Sequence, residues 1–318
     1  MTTDHRLGLL LGSGAVTPSQ IATVARAAEQ AGFAELWASE DYFFTGGIST
    51  AAIALGATER LSVGIGVVPV FTRHPGLAAM EAATIAGAFP DRFTLGVGTG
   101  VERWLRQMGI EQGKPLASVR EYVGALRALG AGETYSSDGF FPSDQIALHA
   151  PHEFPVHIGA IGPKMLDLAA EISDGAILSV LSSPDYVRWA VQRFHAAAGR
   201  DVPIVAFAMY VCDADGALAR DRARALLSRY LVRVSPMTDA LGISDQVGRR
   251  VEQAAAGVEP DPIPDEWVRA MTISGTPADC RAATKELFDA GVTTVTLYLS
   301  AESDALSQIA AATSLAQP

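Results

Sequence analysis

The stretch RLSVGIGVVPVFTRHP, residues 60–75, contains an apolar strand that is interrupted by glycine. An almost wholly apolar run is typical of a strand that is buried on both faces of a parallel sheet. Gly64 and Gly66 fall within this run, and glycine inside a strand is unfavourable unless another group must approach the backbone closely. Two interpretations are open at this point. The glycines could relieve crowding inside a closed barrel, or a flat ligand could lie across the strand end and touch the backbone.

Similar apolar runs recur along the whole chain, and a helical stretch separates each from the next. The predicted strands cover residues 6–12, 34–40, 61–69, 92–100, 155–162, 175–181, 202–212 and 292–300. Eight such units in one chain close most simply into a (β/α)8 TIM barrel. An open, doubly wound sheet is the alternative, but no change in composition divides the chain into two halves. We therefore predict a single barrel domain over residues 1–318.

Two segments interrupt this alternation of strands and helices. Residues 133–149 predict two short extended pieces around a turn, which would form a hairpin outside the main sheet. Residues 235–271 carry four prolines around one predicted helix. An insertion of this kind often forms a lid or a cap over a site.

The composition argues against several classes of protein. The 318 residues include 35 acidic and 24 basic side chains, and the net charge of −11 is a poor match for a nucleic-acid backbone. No stretch reaches the roughly 18 apolar residues of a membrane span, and the N-terminal apolar run is too short for a secretion signal. The two cysteines, Cys212 and Cys280, are expected to be free thiols in a reducing compartment. We therefore predict a cytoplasmic protein.

The barrel prediction also indicates where chemistry should occur, because active sites of such barrels form at the carboxyl ends of the strands. Glu40 and Asp41 follow the second predicted strand, and Glu102 follows the fourth. Each could transfer a proton if burial raises its pKa, and each could equally be a solvated surface group. The segment His149–Glu153 contains two histidines and a glutamate, but it lacks helical spacing and a further ligand nearby. We predict no metal site there.

The stretch GAIGPKMLDLAAE, residues 159–171, ends one strand and begins the next helix. Pro163 and Lys164 open that helix directly after four small or apolar residues. Free N–H groups at a helix N-terminus, next to a lysine, are well suited to bind phosphate. An ordinary strand-to-helix turn with proline at its first helical position is the alternative. The stretch GVGTGV, residues 96–101, is not a dinucleotide-binding fingerprint, because Val101 occupies the position of the third glycine.

Four segments, taken in order, resemble the bacterial-luciferase-like oxidoreductases, a superfamily of (β/α)8 barrels that use FMN or the deazaflavin coenzyme F420. They are residues 31–43, 58–100, 156–178 and 274–297. The wording of GPKMLDLAAEISDGAIL, residues 162–178, is most similar to the F420-dependent branch. That branch includes methylene-tetrahydromethanopterin reductases and F420-dependent glucose-6-phosphate and alcohol dehydrogenases. The resemblance implies an oxidoreductase that transfers a hydride between F420 and a small organic substrate.

The same resemblance implies a set of cofactor-binding residues. A non-prolyl cis peptide at Gly66–Val67 would form a bulge against which the deazaflavin ring leans, and Thr99 and Gly100 would lie near the ring and its ribityl chain. The coenzyme phosphate would be held by the backbone of the strand end and by one hydroxyl further along. The residues implied there are Ala160, Ile161, Gly162 and Ser179, next to Pro163 and Lys164.

Two positions depart from the pattern of the sugar and alcohol dehydrogenases that the chain resembles. Those enzymes have an acid–histidine pair at the end of the second strand, where this chain has Glu40–Asp41. They also have a glutamate directly after the Gly-Thr-Gly of the fourth strand, where this chain has Val101 followed by Glu102. The resemblance therefore implies that Asp41, Glu40 or Glu102 handles the proton that accompanies the hydride.

Two other functions remain open from the sequence. The first is an FMN-dependent monooxygenase that uses O2 and receives reduced flavin from a partner reductase. The second is a flavin-binding relative that has lost catalysis, because the catalytic histidine of the dehydrogenases is missing. Superfamily members often dimerise, so we expect a homodimer that acts on a small molecule.

Overall fold

The structure is a computed structural model, and it describes residues 5–316. Its strands are β1 Arg6–Leu11, β2 Glu35–Ala38, β3 Ser62–Pro69, β4 Phe93–Gly98, β5 Tyr135–Ser137, β6 Ser143–Ile146, β7 Val156–Gly159, β8 Gly175–Leu178, β9 Ile204–Cys212, β10 Thr272–Gly275 and β11 Thr294–Leu299. Its α-helices are α1 Ile21–Gln30, α2 Gly47–Gly56, α3 Pro75–Ala88, α4 Glu102–Gln107, α5 Pro115–Gly130, α6 Pro163–Ile172, α7 Pro184–Ala198, α8 Gly216–Ser228, α9 Pro236–Ala240, α10 Ser244–Ala255, α11 Asp265–Met271, α12 Pro277–Asp289 and α13 Ala305–Ala316.

Eight parallel strands close into a barrel in the order β1-β2-β3-β4-β7-β8-β9-β11. Pairing of β8 with β9 and of β11 with β1 completes the ring. The predicted (β/α)8 barrel is therefore confirmed, and the open doubly wound sheet is wrong. None of the helices within the described part of the chain is both long and apolar enough to cross a membrane.

The sequence did not reveal one strand that lies beside the barrel. β10 pairs with the last four residues of β9, where Thr272 stands opposite Met209. Met209 also pairs with Tyr298 of β11, so β10 and β11 lie on opposite sides of β9. β10 therefore extends the wall of the barrel above the point at which β8 ends. Four residues directly after a proline-rich segment are too few to give a strand signal.

The two insertions differ in how well they were predicted. The hairpin in residues 133–149 is confirmed, because β5 and β6 pair antiparallel in a sheet separate from the barrel. The second insertion begins earlier than residue 235. Helix α8 ends at Ser228, and the next residues contact the mouth of the barrel: the Tyr230 hydroxyl lies 3.0 Å from that of Tyr298, and Arg229 pairs with Glu302 at 2.8 Å.

Residues 213–271 therefore form one excursion at the carboxyl ends of the strands. Helix α8 ends at Ser228 and is not the helix that returns the chain to the start of the next barrel strand. That role falls to α12, which begins directly after β10 and precedes β11. The valine-rich stretch 230–235, followed by a proline, disfavours continuation of the helix.

Large side chains from other strands explain the glycines of β3. The ring of Trp37 contacts that of Phe207 edge to face, with centroids 5.7 Å apart. A Cβ atom at Gly64 would lie 2.5 Å from the Trp37 ring, and one at Gly66 would lie 2.5 Å from the Phe207 ring. Such distances are too short for any real contact, so the strand must be bare at both positions. Of the two interpretations left open above, crowding inside the barrel accounts for Gly64 and Gly66.

The opposite end of the barrel is filled by a polar group. Glu35 accepts a hydrogen bond from the indole of Trp37 at 2.8 Å and pairs with Arg6 at 2.9 Å. Thr294 donates to the same carboxylate at 3.3 Å. This network closes the bottom of the barrel and leaves the mouth as the accessible end.

Candidate active site

Two groups of residues meet at the mouth of the barrel. The first group, which we call the glycine half, lies at the ends of β3, β4, β7 and β8. It comprises Gly66, Val67, Thr99, Gly100, Ala160, Ile161, Gly162, Pro163, Lys164 and Ser179. The second group, the acid half, lies at the ends of β11, β1 and β2 and in the excursion after β9. It comprises Ser13, Ser39, Asp41, Tyr230 and Tyr298. The two halves adjoin because β2 and β3 are neighbours in the barrel.

The end of β3 carries the bulge that the resemblance implies. The Gly66–Val67 peptide is cis, and the register against β4 shifts between Ile65 and Val68. The side chain of Val67 lies over two further glycines. A Cβ atom at Gly98 would lie 2.7 Å from it, and one at Gly159 would lie 3.0 Å from it. The bulge therefore projects Val67 across the ends of β4 and β7. A second non-prolyl cis peptide, which the sequence did not suggest, joins Tyr42 and Phe43.

The turn after β4 requires its glycine. Gly100 has a φ of +71°, a conformation that costs most other residues free energy. A Cβ atom there would also lie 2.8 Å from Pro69. Thr99 is half-buried beside it. The structure thus brings Thr99 and Gly100 next to the end of β3 that carries the bulge.

The loop between β7 and α6 is held firmly from both sides. The N–H of Ala160 donates to the carbonyl of Ile177 at 3.0 Å. The hydroxyl of Tyr186, at the start of α7, donates to the carbonyl of Ile161 at 2.8 Å. The N–H of Ala160 is already hydrogen-bonded to β8, so any anion in this loop must be held by the residues that follow. Tyr186 is a positioning residue that sequence reasoning missed, because nothing in the pattern connects it to this loop.

The start of α6 is open to an incoming group. Gly162 is the N-cap residue with extended backbone, and no side chain caps the helix. Nothing lies within 4 Å of the position that a Cβ atom would take there. In the described part of the chain, no protein acceptor is bonded to the N–H groups of Ile161 and Gly162. Lys164 is exposed on the first turn, and Ser179 is half-buried. Free N–H groups at the positive end of a helix dipole are suited to an anion such as phosphate.

Asp41 is the acid that lies in the mouth. The hydroxyl of Ser13 donates a hydrogen bond to its carboxylate, and Ser39 lies within hydrogen-bonding reach of it. Burial raises the pKa of Asp41 above its ordinary value, and the hydrogen bond from Ser13 only partly opposes this. The hydroxyl of Ser39 is close by, but it donates to the carbonyl of Leu11 at 2.9 Å. No cation pairs with this carboxylate among the residues that the structure describes. A carboxyl group with a raised pKa keeps its proton to a higher pH than an ordinary aspartate does, which suits a proton-transfer group.

Glu40 is adjacent in sequence but has a different environment. Its carboxylate is buried, pairs with Arg73 at 3.0 Å and accepts the N–H of Gly47 at 3.1 Å. Arg73 in turn pairs with Glu81 at 3.1 Å. This network fixes the loop after β2 against the loop after β3. A carboxylate that is already committed to an arginine and a backbone N–H is poorly placed to exchange protons with a substrate.

Glu102 lies outside this constellation. Its side chain is 62% exposed and pairs with Arg106 at 2.6 Å, one turn along α4. Val101, which precedes it, is itself exposed as the N-cap residue of that helix. The geometry therefore favours Asp41 over both Glu40 and Glu102 as the proton-transfer group.

Sequence reasoning missed two tyrosines of the acid half. Alternate residues of a strand point to the same side, so Tyr298 faces the inside of the barrel together with Thr294 and Thr296 of β11. This alternation in the sequence could have identified Tyr298. A side chain at Gly12 would overlap the ring of Tyr298, so the ring lies across the end of β1. Tyr230 reaches the site only because α8 ends at the mouth, and no sequence pattern revealed that path.

A separate cavity of about 510 Å3 lies on the outside of the excursion, between α8, α10 and the segment 259–263. Two nitrogens of Arg250 are buried there without a partner. However, the lining carries Asp221, Glu259 and Asp261 as well as Arg224. This cavity does not touch the strand ends, and its mixed charges favour no particular ligand.

The chain is similar to known proteins over most of its length. A sequence model of the luciferase-like monooxygenase family matches residues 1–294. The 5,10-methylenetetrahydromethanopterin reductase of Methanolobus tindarius is 32% identical over 292 residues, which cover 87% of this chain and 89% of that protein. An F420-dependent glucose-6-phosphate dehydrogenase of Nakamurella multipartita is 31% identical over 194 residues, which cover 56% of this chain and 57% of that protein.

The fold is also similar to that of solved structures. The coenzyme F420 dependent tetrahydromethanopterin reductase of Methanopyrus kandleri superposes with a TM-score of 0.82 at 22% identity, covering 98% of this chain and 97% of that one. At this identity the likeness concerns the fold. The family match and the identity to the Methanolobus enzyme carry the assignment: the chain belongs to the luciferase-like monooxygenase family of oxidoreductases.

Proposed function

We propose that this protein is an F420-dependent oxidoreductase that transfers a hydride between coenzyme F420 and a small organic substrate. The observation that carries the proposal is the glycine half of the mouth. It combines the bulge of β3, which projects across the glycines at the ends of β4 and β7, with the uncapped N-terminus of α6, the helix that follows β7. The names of the relatives supply the choice of coenzyme, since two of those reported above are F420-dependent enzymes.

The residues present fit such a coenzyme. The free N–H groups of Ile161 and Gly162, the start of α6 and the hydroxyl of Ser179 would hold its phosphate. Gly66, Val67, Thr99 and Gly100 would support its ring and ribityl chain. When bound, F420 supplies a carbon that accepts or gives up a hydride. The chain itself must position the substrate, exclude water and move the accompanying proton.

Asp41 would move that proton. Its carboxyl group would exchange it with the heteroatom attached to the reacting carbon of the substrate. Ser13 orients the carboxylate, and the raised pKa keeps a protonated fraction available closer to neutrality than is usual for aspartate. The excursion 213–271 would exclude water from this half of the mouth, because Tyr230 already lies against Tyr298.

The direct test is a fluorescence titration of the purified protein with F420 and, separately, with FMN. We expect F420 to bind in the micromolar range and FMN to bind much more weakly. The reverse preference would replace this proposal with the FMN-dependent monooxygenase, and a partner reductase would then be needed. Binding of neither would favour a relative that has lost its cofactor.

A matched pair of variants tests the phosphate position. Gly162→Asp would cap α6, because the N-cap backbone is extended and the space is open, and it should raise stability by about a few tenths of a kcal/mol. The same carboxylate would repel the coenzyme phosphate, so we expect F420 binding to weaken by about tenfold or more. Gly162→Ala should leave binding nearly unchanged. If Gly162→Asp and the unaltered protein bind F420 equally well, the coenzyme phosphate does not bind at this loop.

We also propose that the protein acts as a homodimer through the outer faces of α2 and α3. The two helices pack side by side. Ile53, Leu77 and Met80 are 42%, 54% and 50% exposed on them. The only charged residue in either helix is Glu81, which is turned toward Arg73. An uncharged face is self-complementary, whereas the rest of a chain with a net charge of −11 repels its own copy.

A further inference from the structure

We propose that Cys212 and Cys280 form a redox modification site, at which a peroxide oxidises Cys212 and Cys280 then closes an intramolecular disulfide. Cys212 is the last residue of β9, and Cys280 lies in the first turn of α12. They are the only two cysteines of the chain, and both are free thiols in the structure. The pair lies behind the wall of the barrel, so this inference does not depend on the hydride transfer proposed above.

The two cysteines meet at the end of β10. Cys212 stands directly opposite Gly275 in the parallel pairing of β9 with β10, and neighbouring strands lie only about 4.8 Å apart. The Sγ atom of Cys280 lies 3.8 Å from the carbonyl oxygen of Gly275. The backbone of Gly275 is therefore next to both cysteines.

The side chain of Cys212 also points toward α12. Successive residues of a strand point to opposite sides, and Phe207 points into the barrel against Gly66. Cys212, an odd number of positions further along β9, consequently points outward, where α12 packs against β9 and β10. The thiols of Cys212 and Cys280 are close enough to interact directly. A small rotation of either side chain is sufficient to bring the sulfurs to bonding distance.

The two thiols differ in how easily a reagent reaches them. Cys212 is partly exposed, whereas Cys280 is fully buried. Burial raises the pKa of the Cys280 thiol, and the neighbouring Cys212 raises it further. Because the thiolate is the reactive form of cysteine, Cys280 is not the residue that an oxidant attacks first. An accessible cysteine next to a second one is the arrangement of a reacting thiol and a resolving thiol.

The hydroxyl of Tyr210 is a second, independent feature of this site. It is buried, and it has no hydrogen-bond partner among the residues that the structure describes. Tyr210 lies on the same outward side of β9 as Cys212, and its hydroxyl is close to the Cys212 thiol. The sulfur of a thiol is only a weak acceptor. Oxidation of Cys212 to a sulfenic acid adds an oxygen atom beside this hydroxyl, and that oxygen is a better acceptor.

The reaction balances with hydrogen peroxide as the oxidant. The Sγ atom of Cys212 attacks one peroxide oxygen, the O–O bond breaks, and the thiol proton leaves with the displaced hydroxide as water. The Sγ atom of Cys280 then attacks the Sγ atom of the sulfenic acid. The S–O bond breaks, and the hydroxyl group leaves with the proton of Cys280 as a second water. The two thiols lose two electrons and the peroxide gains them. A small thiol reverses the bond by exchange.

The position of the pair gives the disulfide its effect. The excursion 213–271 begins directly after Cys212, and Cys280 lies shortly after β10, where the excursion ends. The disulfide therefore joins the two ends of the excursion and closes residues 213–279 into one covalent loop. A cross-link stabilises a protein more when the loop that it closes is long. Oxidation would thus keep the cover of the acid half attached to the barrel under conditions that loosen it.

The test uses the purified full-length chain, which is reduced and then exposed to a small molar excess of hydrogen peroxide. We expect the intact mass to fall by two hydrogen atoms, a non-reducing peptide map to link Cys212 to Cys280, and dithiothreitol to reverse both changes. The oxidised protein should melt about 5 °C above the reduced protein. A gain of oxygen without loss of hydrogen, or a disulfide between two chains, would overturn the proposal.

Two variants separate the roles of the cysteines. Cys280→Ser should stop at the sulfenic acid of Cys212, which dimedone labels, and its melting temperature should not rise on oxidation. Cys212→Ser should remain unlabelled, because Cys280 is buried. Labelling of Cys212→Ser at the rate of the unaltered protein would contradict the assigned roles.

Limited trypsin digestion of the unaltered protein gives a readout that does not require either variant to fold. Trypsin cuts after arginine, and the excursion contains several, including Arg233 and Arg249. After a cut in the excursion, the two fragments of the oxidised protein should separate on a denaturing gel only when a reductant is added. Fragments that separate without a reductant would show that no disulfide joins the ends of the excursion.

Discussion

Glu40 and Asp41 are neighbours in the chain, yet they have opposite environments. Glu40 is buried against Arg73 and the N–H of Gly47, whereas Asp41 faces the mouth and accepts a hydrogen bond from the hydroxyl of Ser13. The difference arises because consecutive residues of an extended segment point to opposite sides. One side of this segment packs on the next loop, and the other faces the site. A difference of one position along this segment therefore decides which acid has a structural role and which is available to the site.

The raised pKa of Asp41 has a consequence for stability that can be measured. Because the folded-state pKa lies above the unfolded-state value, the stabilising effect of its proton is fully present below the ordinary pKa and is lost as the pH rises through the folded-state pKa. Asp41→Asn mimics the protonated group at every pH. We therefore expect it to unfold at a higher urea concentration than the unaltered protein at pH 7, and the difference should shrink toward pH 4.

The same variant should lose most of its turnover, so stability and activity would change in opposite directions. Glu102→Gln is the control, and it should change the free energy of unfolding by no more than about 0.5 kcal/mol, because Glu102 forms an exposed ion pair. A lower stability of Asp41→Asn at pH 7 would show that the carboxylate is well compensated, contrary to what its surroundings indicate.

At the scale of the element, β3 is shaped by what lies inside the barrel. Its first glycine faces the ring of Trp37, its second faces that of Phe207, and its bulge then turns Val67 over the neighbouring strands. The strand thus makes room for large side chains below and forms a platform above. A sequence shows that the glycines interrupt the strand, but the reason lies on β2 and β9.

Gly64→Ala tests the packing explanation. A Cβ atom 2.5 Å from the Trp37 ring must displace a ring that is itself hydrogen-bonded to Glu35. We expect a loss of about 1–3 kcal/mol in the free energy of unfolding, as is usual for an overpacked core. Gly124→Ala on α5, where nothing lies within 4 Å, should instead stabilise the protein by about 0.5–1 kcal/mol. Equal and small effects of the two changes would contradict the packing explanation.

The limits of sequence reasoning also show at this scale. The barrel strands and the helices between them were predictable, because each is a long apolar run or a long amphipathic one. β10 was not predictable, since its four residues, TISG, are too few to show the alternating pattern of a strand. The path of α8 was not predictable either. The sequence pattern of a helix is the same whether the helix returns the chain to the bottom of the barrel or remains at the mouth. Tyr230 was missed for that reason, and with it half of the tyrosine pair.

At the scale of the whole molecule, the helices around the barrel are unequal. α10, in the excursion, has a clear polar side, whereas α2 and α3 contain almost no charged residues. A helix without a polar side is usually buried. The outer faces of α2 and α3 are exposed in the single chain, which is the basis for the proposed dimer.

Leu77→Glu tests that interface, because it places a charge on the exposed face of α3. We expect sedimentation equilibrium to show a dimer for the unaltered protein and a monomer for the variant, since a like charge would meet its copy across the two-fold axis. Val258→Glu, which changes an equally exposed valine in the excursion, should remain dimeric. If the unaltered protein is a monomer, or if both variants are dimers, then α2 and α3 do not form the interface.

The division of the mouth into two halves has an evolutionary consequence. The glycine half depends on backbone geometry at four adjacent strand ends, and Gly66 and Gly100 are restricted there by neighbouring side chains. The acid half depends on a few side chains and on an excursion of the chain that follows β9. Mutations in the second half can therefore change what the enzyme recognises without disturbing the first. The architecture allows a lineage to acquire new substrates while it retains its coenzyme, and it gives a protein engineer the same freedom.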